Sequence, residues 1–234
     1  MAKRSKRYNQ AAELVDSTKT LVLADAVDLL KKLPAPKFDS TVTLSFALGV
    51  DPRKSDQMVR GSVSLPHGTG KKVRVVVFAT GDAAKAAEAA GADKVGMADL
   101  IKEVQDGFTD FDVAIATPSA MAEVRKIARV LGPRGLMPNP KTGTVTDDTA
   151  AAIDAVKAGR IDYKIDKNAN VSAVVGKGSF DNAKLIENAA ALVESVVKSK
   201  PATAKGTYIK AVTIASSMNP GIKLDASVYT TAIA

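Results

Sequence analysis

The chain has 234 residues, 46% of them hydrophobic but only 4% aromatic, so its core must be built from Ala, Val, Leu and Ile, with material for one large domain or two small ones. It holds no cysteine, which excludes disulfides and thiolate chemistry and suits a reducing cytoplasm; no segment approaches the roughly 18 consecutive apolar residues of a membrane span. The formal net charge of +8 favours a polyanionic partner.

The Met-Ala-Lys-Arg-Ser-Lys-Arg start is basic with no apolar run behind it, so no secretory signal is expected. Residues 5–16 read as a helix carrying Tyr8, Ala11, Ala12 and Val15. A second helix is expected over 24–33, stopped by Pro34. From Phe38 to Gly49 the pattern alternates, with Val42, Leu44, Phe46 and Leu48 on one face and Thr41, Thr43, Ser45 and Ala47 on the other. That predicts a strand with one buried face and one small, hydroxyl-rich face, flat enough for a large ligand or simply solvated. A turn over 51–54 and a strand over 59–65 follow.

At Pro66-His67-Gly68-Thr69-Gly70 the texture changes. The β-branched run 72–79 suits a strand buried on both faces. Helix 83–90, a short strand near 93–95, helix 97–105, strand 111–116 and helix 119–131 follow, a β-α-β-α-β-α rhythm that implies a parallel sheet with helices on both sides. Asp147 and Asp148 open a last helix to Ala158, and Gly159 ends it. Then alternation returns at 161–166, with strands over 171–175 and 208–215 around a helix over 181–198, for which Ser179 is the expected N-cap. Residues 216–221 read as a turn into a short strand over 222–224.

Charge divides the chain in the same way. Residues 1–67 hold 11 basic and 7 acidic side chains, 68–159 hold 12 and 12, and 160–234 hold 10 and 6, so the excess lies in the two outer segments. The architecture expected is α/β. A discontinuous α+β domain, 1–67 with 160–234, carries an inserted, doubly wound, Rossmann-like domain over 68–159. Gly68, Gly70 and Gly159 would then supply a hinge at the two crossings.

Little in the sequence points to catalysis. His67 is the sole histidine, and one histidine without cysteine leaves few nucleophile–base pairs. Gly68-Thr69-Gly70-Lys71 lacks phosphate-loop spacing and precedes its strand, and Gly81 follows a strand without a G-x-G-x-x-G. Asp147 and Asp148 fit a helix N-terminus better than a metal. Gly176-Lys177-Gly178-Ser179 reads either as a glycine turn with a serine cap or as a phosphate site. No metal, cofactor or enzymatic activity is expected. Composition and motifs alone reach a basic, polyanion-binding α/β protein; the rival readings are a small-molecule or enzymatic α/β domain at 68–159 and a DNA-binding regulator.

The segment 131–144 holds three prolines and three glycines around two basic residues, so it must be a stiff, irregular loop. With Thr146 included, this stretch resembles the signature of the large-subunit ribosomal stalk protein family, the L one proteins. The likeness extends to Lys37-Phe38-Asp39, Leu48–Gln57, Val59-Arg60-Gly61, Val63–Gly68 and Ala158–Ile161, and so to nearly the whole chain. The resemblance implies two hinged domains, a protein monomeric when free, and no cofactor, membrane or catalysis. It implies that the discontinuous domain grips large-subunit ribosomal RNA in the stalk region, beside the exit-site transfer RNA, whose release the stalk assists. It also implies repression of the protein's own messenger. Matching motif to motif, the RNA contacts would be Lys37, Phe38 and Thr41 on the first strand, Lys164, Asp166 and Lys167 on the later hairpin, and Ser217, Met218 and Asn219 in the last turn. The family's usual Thr-Met-Gly reads Ser217-Met218-Asn219 here. Asn is, after Gly, among the residues that best tolerate left-handed backbone, so the turn is expected to survive. Ala211 stands where some members carry a hydroxyl and is not claimed.

Overall fold

In the computed structural model, which describes residues 4–230, helices α1 (Lys6–Leu14) and α2 (Leu23–Lys32) precede strand β1 (Thr41–Leu48). Every second residue of β1 is buried, as its alternation predicts. Phe38, Asp39 and Ser40 lie outside the strand. The Asp39 carboxylate accepts from the Ser179 amide at 3.1 Å and the Ser179 hydroxyl at 2.9 Å, which turns this segment off the strand path. After β2 (Arg60–Ser64) the chain leaves this layer, and it returns through β6 (Arg160–Lys164), which pairs with β2.

Between them lie β3 (Val75–Phe78), α3 (Asp82–Ala89), β4 (Lys94–Gly96), α4 (Ala98–Gln105), β5 (Val113–Ala116), α5 (Met121–Val124), α6 (Ala128–Leu131) and α7 (Thr149–Lys157). The three strands form a parallel sheet in the order β4-β3-β5. All four residues of β3 are buried. One apolar layer joins it to α4, α5 and α6 through Leu100, Ile101, Val104 and Leu131, and a second joins its other side to α3 and α7 through Ala87, Ile153 and Val156. The helix expected over 119–131 is broken: a 3-10 turn, Arg125–Ile127, separates α5 from α6. Asp148 caps α7 by accepting from the Ala151 amide at 3.1 Å.

The chain then runs through β7 (Asn170–Lys177), α8 (Asn182–Lys198), β8 (Ile209–Ser216), β9 (Ile222–Leu224) and α9 (Ser227–Thr230). Strand β7 extends through Gly176 and Lys177, which sequence reading gives to a turn, because both pair with β1 across a bulge at Val42 and Thr43. The N-cap of α8 is Asp181; Ser179, the expected cap, is held by Asp39 instead. The antiparallel sheet has the order β7-β1-β8-β9. Its buried face, with Leu44, Phe46, Val175 and Ile214, packs with α2 and α8 through Val27, Leu30, Leu185, Leu192 and Val196.

Two compact units result, one running through Gly70 and resuming at Ile161, the other covering Lys71–Arg160. Gly68 and Gly70 thus belong to the first unit, and Gly159 and Arg160 to the second.

Candidate nucleic-acid interface

Among the described residues, no helix covers the second face of the antiparallel sheet. Register places Ser45 between Ser172 and Thr213, Thr43 between Val174 and Ala215, and Ala47 between Asn170 and Ala211, all at least partly exposed. The hydroxyls of Ser45 and Ser172 lie 2.9 Å apart. Small side chains at every position make this face flat, and its hydroxyls can both donate and accept. Lysines stand at its margins: Lys177 Nζ donates to Thr41 Oγ1 at 2.9 Å, and Lys223 stands opposite Thr213.

At the Thr41 end, loop and turn converge. Lys37 and Phe38 are exposed, and the Phe38 side wall borders a groove of about 360 Å³ with Leu30, Leu33 and Asn219. Both lie before the strand, not on it as the family match suggests, because Asp39 ties the loop to Ser179. Ser217 is bound to Thr41 by its amide, which donates to the Thr41 carbonyl at 3.0 Å, and by its hydroxyl, which accepts from the Thr41 amide at 3.2 Å. Met218 is 68% exposed.

The left-handed residue of this turn is Met218, at φ 65°, not Asn219. Asn219 uses its side chain instead: Nδ2 donates to Ser216 Oγ at 2.9 Å, and Oδ1 accepts from Arg7 at 2.8 Å. Sequence reading assigns no role to Arg7, and no motif could reveal it, since it lies more than 200 positions from its partner.

At the other end of β1, where Ala47 meets Asn170, the β6–β7 hairpin projects. Asp166 organises it. Its Oδ1 accepts from the Asn170 and Asn168 amides, both at 2.8 Å, and these bonds, Asn170 first, hold its carboxyl below the usual carboxylate range. Ala169 takes φ 62° to close the turn. Lys164 and Lys167 are left exposed. Seven residue steps of about 3.3 Å separate the ends of β1, so the two groups of predicted contacts stand about 23 Å apart along one sheet. Asp166 holds the loop in shape; Lys167 is the side chain that the loop offers.

Other motifs resolve into structure. The Ser179 amide, the donor that a phosphate site would need, is taken by Asp39, a carboxylate that would repel an anion. His67 Nε2 lies 2.5 Å from Glu187 Oε2. Fully buried Asn188 accepts from the His67 amide at 3.1 Å and donates to the Gly68 carbonyl at 3.0 Å. Gly68, Gly70 and Gly159 all have positive φ, at 66°, 71° and 102°. The Pro/Gly loop braces the second unit: Leu131 is buried, the Asn139 carbonyl accepts from the Thr142 and Thr144 amides, and Val145 runs parallel beside Ala116. Among the described residues no group of three His, Asp or Glu could hold a metal ion, and no helix is long and apolar enough to cross a membrane.

The model of the ribosomal protein L1p/L10e family matches residues 29–220. The chain is also similar to the large ribosomal subunit protein uL1 of Saccharopolyspora erythraea, 58% identical over 225 residues, which cover 96% of this chain and 94% of that protein.

Proposed function

The chain belongs to the ribosomal protein L1p/L10e family, and from that membership we propose that its discontinuous unit grips a folded segment of large-subunit ribosomal RNA with the uncovered sheet face. It is a structural component of the large subunit in the cytoplasmic ribosome, not an enzyme. One observation carries the proposal: a flat, hydroxyl-lined sheet face with contact groups about 23 Å apart at its two ends. A small ligand cannot touch both ends. Helical RNA can, and its wide, shallow minor groove displays the 2′-hydroxyls that Thr and Ser side chains can bond. Lys37, Phe38, Thr41, Ser217, Met218 and Asn219 serve one end, and Lys164 and Lys167 the other, with Asp166 shaping the loop that carries them.

The same unit has cations to spare. Exposed Arg53, Lys54 and Arg60 stand in and beside the 51–58 loop, with Met58 exposed among them. They offer a second surface on which the exit-site transfer RNA can rest, and through it the stalk assists its release. A messenger segment that copies the ribosomal site would compete for the sheet face, which is the basis for repression of the protein's own messenger. Gly68, Gly70 and Gly159 act as the hinge between units. Cross-linking to whole ribosomes with mapping of the attached RNA tests the proposal. Links from Lys37 and Lys167 should fall in one stalk segment of large-subunit RNA; links scattered over unrelated RNA would overturn it.

A further inference from the structure

Arg7 stands on α1, well before the matched residues 29–220, yet its guanidinium reaches the turn between β8 and β9. Nη2 donates to the Met218 carbonyl at 2.8 Å. Nη1 donates to Asn219 Oδ1 at 2.8 Å and to the Pro34 carbonyl at 2.9 Å. A guanidinium presents its donors in a fixed plane on separate nitrogens, an arrangement that the three donors of an ammonium, all on one nitrogen, do not reproduce. The held residue needs such help. Met218 sits at φ 65°, a region that L residues with a side chain resist. Its side chain is largely exposed, so no core contact keeps it there. With its carbonyl released, the turn is free to relax toward the right-handed region, and the thioether then points elsewhere.

We propose that Arg7 is a positioning residue of the RNA-binding face: it locks the Ser217–Asn219 turn so that the Met218 thioether stands off the sheet edge, and Asn219 supplies the side-chain acceptor that glycine, the family's usual residue there, lacks. This rests on the RNA-binding reading above. Arg7 is half-buried with its donors turned to protein acceptors, so it acts through the turn and not as a phosphate contact.

The test titrates the full chain with a large-subunit RNA fragment across a salt series. Arg7→Ala should weaken binding about tenfold, the size of a lost charge-assisted hydrogen bond, with the salt slope unchanged. Arg7→Lys should not restore it. Met218→Ala should lose a similar factor, and the double variant little more, because both act through one thioether. Undiminished affinity in Arg7→Ala overturns the proposal, as do additive losses or a slope flattened by about 0.7 to 0.9. If Arg7→Ala does not fold, Asn219→Ala, which removes one acceptor, must show a smaller loss of the same kind. The Met218 methyl resonance of the free protein separates the two readings. Arg7→Ala should shift and sharpen it whether or not RNA binds, whereas an unmoved methyl overturns the lock. A wild-type chain that ignores the RNA overturns the binding reading instead.

Discussion

The two units solve the same problem, burying a sheet, in opposite ways. In β1 every second residue is buried, and α2 and α8 cover a single face of its antiparallel sheet. In β3 every residue is buried, because helices pack on both faces of its parallel sheet. Charge follows cover. Residues 71–160 hold 13 basic and 12 acidic side chains, a net of +1; the remainder hold 20 and 13, a net of +7. The unit with an uncovered face is thus the one whose field attracts a polyanion. The covered unit spends both sheet faces on its own stability and keeps only loops for other contacts.

The strongest way to break this comparison is to separate the units. A chain joining residue 70 to residue 161 through a short Gly/Ser link should keep most of the affinity for large-subunit RNA. Residues 71–160 alone should fold on their two apolar layers and bind at least about 100-fold more weakly, having almost no net charge with which to release counterions. Equal binding by both fragments would end the assignment of RNA contact to the open sheet.

A single carboxylate placed on the open face should have the next largest effect. Ser45→Glu puts a charge at the centre of the hydroxyl patch, beside Ser172 and Thr213. Facing phosphates, it should cost about 3 kcal/mol of binding, on the order of 100-fold. The melting temperature should move little, since the site is solvated. Unchanged binding would show that RNA does not approach this face.

Met218 sharpens the comparison, because stability and binding should respond in opposite directions. Met218→Gly relieves left-handed strain of about 1–2 kcal/mol, against the extra freedom of glycine in the unfolded chain, about 0.5–1 kcal/mol. Calorimetry should find the protein equally stable or up to about 1.5 kcal/mol more stable, while RNA affinity falls about tenfold. A stability loss of the size seen for a core residue would mean that Met218 packs within the protein.

Much of this was legible in the sequence, and the misses that bear on the sheet end near Thr41 share one cause. Alternation over 41–48 and the Val-rich run at 75–78 identified the two sheets, because a strand's exposure repeats every two residues. Family motifs singled out Met218 and Lys167, and both side chains are exposed. What could not be read were pairings between distant side chains. Asp39 captures Ser179 and moves both the start of β1 and the cap of α8. Arg7 captures Met218 and Asn219, so the strained residue is the methionine and not the asparagine that tolerates strain better. Neither bond leaves a local pattern.

A smaller effect is expected at the far end of the sheet. Lys167→Ala removes an exposed cation that the hairpin presents. Affinity should fall several-fold at low salt, and the slope of log affinity against log salt should flatten by about 0.7 to 0.9, the share of one phosphate contact. The difference from wild type should vanish at high salt. An unchanged slope would remove Lys167 from the interface.

The smallest effect concerns the loop beneath that lysine. The Asn170 and Asn168 amides bond the ionised form of Asp166 and hold its carboxyl below the usual range. A carboxyl depressed in the folded state stabilises the hairpin at every pH above its ordinary value, and that contribution is lost as pH falls through the depressed value. Near neutral pH, Asp166→Asn should therefore act on the wild-type hairpin as strong acid would, since a neutral side chain accepts the two amides less well. Hydrogen exchange at Asn168 and Asn170 reads this directly. Both amides should exchange faster in the variant at pH 7, and the gap from wild type should narrow once wild-type Asp166 protonates in acid. The amides at the middle of β1 should not change, because the strand meets the loop only at its end, where the Leu48 amide donates to the Ala169 carbonyl. Equal protection in both proteins at pH 7 would mean that Ala169, at φ 62°, keeps the turn closed without the carboxylate.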